Sequence, residues 1–358
     1  MGRAGRGYSS YRGRRTLNDI LKWVALGLLV LVVAVVGCLM WWQEYIVFTD
    51  KGLEFRPPFS LREEEDPEGP GDVSVVIQPD QSGEEIPVTE PEAAGMRAVQ
   101  LPVSALLEGT ALGQLEQAGA DALILEMKDQ EGQLGWLSQQ TYAQRAQVNA
   151  GAEVNQILEQ WNQGEVYTVA LVCCFRDNTI PYFYNSTATR VTGGNWRDEL
   201  GLRWLSPDSQ GARDYLAALC GELAQLGFDE ILLDCCSFPT GGNLQQITPS
   251  ASYQSGDFAQ TVGAFLTQVE EAVAPYGTAL SLRMTRQNLI QNGVNGGLTA
   301  QVAEEYAQRI WMEEDGEQPS LVQLLTQAGI SQGEERLVEV VTQLEEENFL
   351  PQGVFRRE

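Results

Sequence analysis

The sequence of 358 residues contains no histidine. That absence excludes Ser-His-Asp and Cys-His catalytic arrangements, zinc sites that use imidazole, and imidazole proton shuttles. Acid-base chemistry must therefore fall to carboxylates, lysine, tyrosine or cysteine. Basic residues are also scarce, since 23 Lys and Arg stand against 49 Asp and Glu, a formal net charge of -26. This charge excludes a nucleic-acid binder that works by neutralising phosphates.

Charge is missing altogether from residues 23–42, a run of 20 residues that ends in a tryptophan pair. The run is long enough to span a bilayer, and tryptophan suits the membrane interface, so we predict one transmembrane helix. A buried core helix would need a polar face, which the run lacks. A cleaved lipoprotein leader is the open alternative, because Cys38 follows small apolar residues.

The orientation of this helix follows from the distribution of charge. Residues 1–22 hold six basic groups and one acid. By the positive-inside rule they form a cytoplasmic tail, and everything beyond residue 43 lies outside the cell membrane. Residues 61–96 then carry eleven acids, one base and five prolines, a composition that cannot bury enough apolar area to order itself. We predict an acidic, Pro-rich stalk over 43–96, within which 44–59 is apolar enough to form a strand or hairpin.

From residue 97 to 358 short apolar runs alternate with segments of helical period, which is typical of a parallel α/β sheet. The predicted strands are 97–101, 122–128, 167–175, 230–236, 279–284, 309–313, 336–341 and 353–356. Eight strands over about 260 residues match a (β/α)8 TIM-type barrel. An open doubly wound sheet is the alternative, but no G-x-G-x-x-G follows a strand, so we expect no dinucleotide cofactor.

Carboxylates and bases recur where these strands end, which in a barrel is the rim that carries chemistry. Asp234 stands out because the residues around it in its strand are apolar. Glu126 and Lys128 share parity and are expected to point to one side. The other polar residues at strand ends are Arg176, Asp177, Arg283, Glu313, Glu314 and Asp315.

Three segments resemble a family of glycoside hydrolase-like barrel domains of bacterial envelope proteins. Residues 227–234 (GFDEILLD), followed by Phe238 and Pro239, are similar to that family's GFDEIxxDYxRFP motif. Residues 122–129 (ALILEMKD), with Gly132 after them, resemble its VVIDVKDxxG strand, and residues 296–312 resemble the segment leading into its sixth strand. The resemblance covers residues 97–315, and it implies a TIM-type barrel with a carbohydrate-related activity.

The sequence departs from the family's motifs at positions that bear on mechanism. Cys235 and Ser237 stand where the family has Tyr and Arg, Glu126 replaces an Asp, and Leu171 replaces an Arg. Groups that could orient a sugar hydroxyl or hold a carboxylate ionised are thereby lost. Either the substrate differs from the family's or catalysis is gone.

Two cysteine pairs, Cys173-Cys174 and Cys235-Cys236, end strands that should be neighbours. Strand alternation sends one member of each pair inward and the other outward, so the four cannot converge on a tetrahedral metal. We expect no metal site and four buried thiols, with a disulfide as the alternative outside the membrane.

The sequence therefore predicts a membrane-anchored, extracytoplasmic domain that acts on an envelope or extracellular glycan. Asp234 would be the nucleophile or base, and Glu313 or else Glu126 the general acid. The candidate substrate contacts are Lys128, Asp177, Arg283 and Trp136. The alternative is a catalytically degenerate barrel that binds glycan or serves as a cell-surface scaffold. A channel subunit is disfavoured because one apolar span cannot line a pore.

Overall fold

The structure is a computed structural model that describes residues 46–49, 52–55, 96–290, 296–344 and 350–355. The chain divides into two units, Met1–Gln81 and Ser82–Glu358. In the first unit, β1 (Ile46–Thr49) and β2 (Gly52–Phe55) form an antiparallel hairpin, as the apolar character of 44–59 predicts.

The predicted transmembrane segment, 23–42, lies outside the described residues, as do the basic tail and most of the stalk. In the part of the chain that the structure describes, no helix is both long and apolar enough to cross a membrane.

The second unit contains the predicted closed barrel of eight parallel strands, in the order β10-β11-β12-β3-β4-β5-β8-β9. The short β6 and β7 form a separate antiparallel pair. The strands of this unit are β3 (Arg97–Leu101), β4 (Ala122–Lys128), β5 (Tyr167–Cys173), β6 (Arg190–Val191), β7 (Gly194–Asn195), β8 (Glu230–Asp234), β9 (Ala279–Met284), β10 (Arg309–Glu313), β11 (Leu337–Val340) and β12 (Gln352–Val354). The open doubly wound sheet is thus excluded.

Helices surround the barrel because their apolar residues recur every three or four positions and face the strands. The longest bury leucine, valine and phenylalanine side chains against the sheet, each contributing about 1.5–3 kcal/mol when fully buried. The helices are α1 (Ser104–Leu107), α2 (Ala111–Ala118), α3 (Thr141–Ala146), α4 (Glu153–Asn162), α5 (Ile180–Phe183), α6 (Gln210–Gln225), α7 (Ala251–Ser255), α8 (Phe258–Val273), α9 (Arg286–Leu289), α10 (Ala300–Tyr306), α11 (Leu321–Ala328) and α12 (Gly333–Arg336).

Inside the barrel, side chains at alternate strand positions form layers. A middle layer of apolar residues includes Ile124, Leu232 and Trp311. Below it, near the amino ends of the strands, Glu230 is fully buried, forms an ion pair with Arg309, and accepts hydrogen bonds from Tyr167 (3.0 Å) and the indole of Trp311 (2.8 Å). The opposite, carboxyl end of the barrel is open.

Candidate active site at the carboxyl end of the barrel

The carboxyl end of the barrel holds a cleft with two lobes that share Arg176, Asp234, Cys235 and Arg283. The first lobe, of about 770 Å³, extends over the loops that follow β5, β8 and β9. The second, of about 660 Å³, extends over the ends of β4 and β10 to β12. Each volume lies within the range of small-ligand sites, roughly 300–1,000 Å³. The cleft as a whole therefore has room for a ligand longer than one sugar ring.

Asp234 lies where the two lobes meet, as the last residue of β8. Its side chain is 31% exposed, and its Oδ2 lies 3.1 Å from Nη1 of Arg283. Its Oδ1 accepts a hydrogen bond from the backbone N–H of Cys235 at 2.7 Å. Cys235 has a φ of 48°, a left-handed conformation that costs a non-glycine residue energy and often marks functional sites. This turn ends the strand and leaves Asp234 at the cleft floor.

Arg283 connects Asp234 to a second carboxylate. Its Nη2 lies 3.7 Å from Oε1 of Glu313, the last residue of β10, and its guanidinium lies over the ring of Phe355 at 4.4 Å. One guanidinium spans both acids, so the nearest oxygens of the two carboxylates lie no more than about 9 Å apart, below the upper limit of roughly 9.5 Å for a glycosidase acid pair. Glu313 is 77% exposed and lines the second lobe.

Glu126 also lines the second lobe, from the inward face of β4. The structure thus brings Asp234, Arg283, Glu313 and Glu126 to one cleft, in which Arg283 pairs with both Asp234 and Glu313.

Lys128 does not share the orientation of Glu126, contrary to the parity expectation. A β-bulge between Glu126 and Lys128 shifts the register of β4 against β5, and one extra residue reverses the side to which the next side chains point. Lys128 is fully buried and pairs with Asp177 at 3.0 Å, also fully buried. Its Nζ donates to the carbonyl oxygen of Cys173 at 2.7 Å.

Lys128, Asp177 and Trp136, which the sequence predicts to contact substrate, are buried and do not line the cleft. Asp177 Oδ1 accepts hydrogen bonds from the N–H groups of Thr179 and Ile180 at the start of α5. Trp136 is 1% exposed and donates its indole N–H to Glu222 at 3.0 Å. These three side chains hold loops and helices to the outside of the barrel.

Arg176 and Asp198 both line the first lobe, although the sequence pattern predicts no role for either. Their side chains pair at 2.9 Å, and Asp198 also accepts a hydrogen bond from the indole of Trp204 at 2.9 Å. Asp198 belongs to the long connection between β5 and α6, residues 174–209. Long connections in compact domains are often functional. The length of this connection was therefore a sequence signal that could have pointed to residues of the site within it.

The cysteines alternate as predicted. Cys173 and Cys235 line the second lobe, whereas Cys174 and Cys236 are fully buried in the outer core, with Cys236 also bordering the first lobe. Cys235 is only partly buried, which corrects the expectation of four buried thiols. Its hydrogen bond to Cys173, then burial, raises the pKa of Cys235 well above its ordinary value. A thiol held protonated in this way is a poor nucleophile.

The described cysteines are all free. No group of three His, Cys, Asp or Glu side chains within the described ranges is arranged to hold a metal ion. The chemistry that the cleft offers is that of carboxylates and guanidinium groups.

Comparison with known proteins identifies the family. Residues 104–308 match the family described as "Putative glycosyl hydrolase domain". No curated protein matches the chain significantly. The solved structure of the glycoside hydrolase domain of PgaB (BpsB) from Bordetella bronchiseptica is 14% identical, with a TM-score of 0.52, over 73% of this chain and 94% of that one. A hypothetical protein from Ruminiclostridium thermocellum is 21% identical, with a TM-score of 0.44, over 51% and 96%.

At these identities the PgaB likeness shows a common fold and no more. The family match covers more than half of the chain, in agreement with the resemblance carried by the motifs at 122–132 and 227–239. The chain therefore belongs to this glycosyl hydrolase domain family.

Proposed function

We propose that this protein is a membrane-anchored, extracytoplasmic glycoside hydrolase in which Asp234 is the nucleophile or base. The observation that carries the proposal is the group of Asp234, Arg283 and Glu313 in the open cleft at the carboxyl end of the barrel. Barrel enzymes place their catalytic groups at this end. Family membership agrees with this reading.

The two carboxylates differ in environment, as acid-base division requires. Asp234 lies where the two lobes meet, with its Oδ2 3.1 Å from Arg283. From there its carboxylate would attack the anomeric carbon or activate water. Glu313 is largely exposed and lies on the far side of Arg283, and it would donate a proton to the leaving oxygen. Glu126 is the alternative acid from the same lobe.

The shape of the cleft supports an oligosaccharide or longer chain as substrate. Asp234 lies between two lobes that are each large enough for a sugar unit or more. Sugars on both sides of the scissile bond would therefore be bound.

A catalytically degenerate, glycan-binding barrel is the second candidate. Both oxygens of Asp234 already have protein partners, the N–H of Cys235 and the guanidinium of Arg283. Cys235 and Ser237 also replace the Tyr and Arg of the family's motif. An attacking carboxylate would have to release Arg283 or attack while bound to it.

Membrane anchoring is supported by the sequence alone. The 20 uncharged residues of 23–42 suffice to span a bilayer, and the six basic groups before them orient the chain with its barrel outside.

The deciding experiment is a screen of glycan hydrolysis with the purified full-length chain and its Asp234→Asn variant. If Asp234 is catalytic, turnover of the responsive glycan should fall by about 10³-fold or more. The cost to the free energy of unfolding should stay within about 1 kcal/mol, because the ion pair is partly exposed. Glu314→Gln is the matched control, since Glu314 lines the same lobe, and it should alter turnover little.

Comparing Glu313→Gln with Glu126→Gln then identifies the acid. Undiminished turnover in Asp234→Asn would refute the assignment. Glycan binding without hydrolysis by the unaltered chain would establish the degenerate barrel instead.

A further inference from the structure

A second cavity, of about 420 Å³, lies in the long connection between β5 and α6 and shares no residue with the two lobes of the cleft. We call it the arginine groove. Its lining residues are Tyr182, Asn185, Arg190, Gly193, Gly194, Asn195, Arg197 and Arg203. The groove adjoins the first lobe along the chain, because Arg197 lines the groove and the next residue, Asp198, lines the lobe.

The lining of the groove carries three cations and no acid, in a protein with a formal net charge of -26. Among the described residues, none of the three arginines forms an ion pair with a carboxylate. Arg190 donates instead to the amide oxygens of Asn185 (2.9 Å) and Asn195. Neutral acceptors fix the guanidinium group but leave its charge uncompensated.

The other two arginines are held in the same way. Arg203 donates to the backbone and amide oxygens of Asn178 at 3.1 and 3.0 Å, and Arg197 donates to the carbonyl oxygen of Gly201. Burial and the like charge of Arg197 lower the pKa of Arg203. Glu131 attracts Arg203, but Glu131 lies outside the groove and is bound by the amide of Asn178 at 2.8 Å. The groove thus holds like charges together with no acid in its lining, and an anion bound there would relieve their repulsion.

An aromatic surface borders these cations. Tyr182 is 62% exposed, and the guanidinium of Arg203 lies over its ring at 4.9 Å. A pyranose ring has an apolar face of C–H groups that can stack on such a side chain. Arginine in turn matches the paired oxygens of a carboxylate or phosphate.

From this arrangement we infer that the arginine groove binds an anionic group, carboxylate or phosphate, carried by a saccharide chain. The choice of a saccharide as carrier rests on the proposed function of the neighbouring cleft, whereas recognition of the anion rests on the three arginines alone. A local cationic site is needed for such a ligand, because the net charge of the protein repels polyanions.

The test is calorimetric titration of the full-length chain carrying Asp234→Asn, so that turnover does not interfere. The probes are trigalacturonate for carboxylate, a phosphorylated maltotriose for phosphate, and uncharged galactotriose. We expect at least one anionic probe to bind and galactotriose to bind at least about tenfold more weakly. Arg197→Gln/Arg203→Gln should weaken the anionic probe by about tenfold or more, and added salt should weaken it too.

Two further variants keep the test specific. Arg145→Gln removes an exposed arginine on α3 outside the groove and should leave binding unchanged. Arg197→Lys/Arg203→Lys keeps the charge and should retain part of the affinity, which separates loss of charge from misfolding. Binding of neither anionic probe, or equal affinity in the Gln double variant, would overturn the inference. Absence of hydrolysis by the unaltered chain would count only against the proposed function.

Discussion

Two charged side chains at strand ends, Lys128 on β4 and Asp234 on β8, have opposite surroundings. Asp234 is partly exposed in the cleft, whereas Lys128 is sealed behind the barrel wall against Asp177. Position at a strand end therefore does not assign function. Exposure to solvent distinguishes a residue that can contact a ligand from one that stabilises the packing around the barrel.

The buried pair predicts a large loss of stability in Lys128→Met, which would leave Asp177 unpaired in the interior. Breaking one partner of such a pair costs about 3 to 5 kcal/mol. Urea unfolding should show this loss in the free energy of unfolding. Restoring neutrality in Lys128→Met/Asp177→Asn should recover part of it. Arg145→Met, which removes an exposed charge, should change stability little, and an equal effect of Arg145→Met and Lys128→Met would contradict the prediction.

The same pair should make stability depend on alkaline pH. Burial alone would lower the pKa of Lys128, but Asp177 and, to a lesser extent, Cys173 and Cys174 outweigh it, so the pKa is raised above the ordinary value of 10.5. The pair's contribution is therefore complete below pH 10.5 and is lost as pH rises through the raised pKa. Unfolding curves between pH 8 and 12 should show the gap between the unaltered chain and Lys128→Met narrowing only at the alkaline end. A gap that narrows below pH 9 would exclude Lys128 as its source.

At the scale of elements, strands β8 and β9 are simple to predict and β4 is not. In β8 and β9 the alternation of inward and outward residues runs unbroken, and Asp234 and Arg283 both line the cleft. In β4 the bulge at Glu126 and Lys128 leaves no mark in the apolar pattern. The orientation of Lys128 cannot be predicted from the sequence, because the register of β4 is set by its pairing with β5.

The candidate site, like the strands, could be predicted from the sequence only in part. Strand patterns predict its carboxylates, but the groups contributed by the long connection, Arg176 and Asp198, depend on how residues 174–209 fold back over the rim. The isolated bridge between Arg176 and Trp204 joins the two ends of that excursion. A contact between residues so far apart in sequence has no local pattern.

Alternation along β5 and β8 predicts an order of cysteine reactivity. Cys235 should react first with iodoacetamide, because it alone among the described cysteines is partly exposed. The reaction should be slow at pH 8, since its pKa is raised. Cys174, Cys236 and Cys220 should react only after denaturation; burial raises the pKa of Cys220 to about 12. Peptide mass mapping gives the order, and early labelling of Cys174 or Cys236 would show that these strands are less well packed than described.

For the whole molecule, the charge asymmetry predicts a topology. Protease added to intact cells or spheroplasts should cut the acidic segment 61–96 and release the barrel, while residues 1–22 stay protected. Immunoblots with antibodies to each end measure this, and lysed cells are the control. Protection of the barrel would reverse the orientation. Mass spectrometry of the intact protein decides between an uncleaved anchor and a lipid-modified Cys38.

The ion pair of Glu230 and Arg309, with Tyr167 and Trp311 around it, closes the barrel at the end opposite the cleft. The cleft is consequently closed at its base, and no polymer can pass along the barrel axis. A long chain must therefore lie across the mouth, with Asp234 between the two lobes. If the proposed hydrolysis takes place there, the chain can extend beyond the scissile bond on both sides, so a polymer capped at both termini should be degraded as fast as an uncapped one.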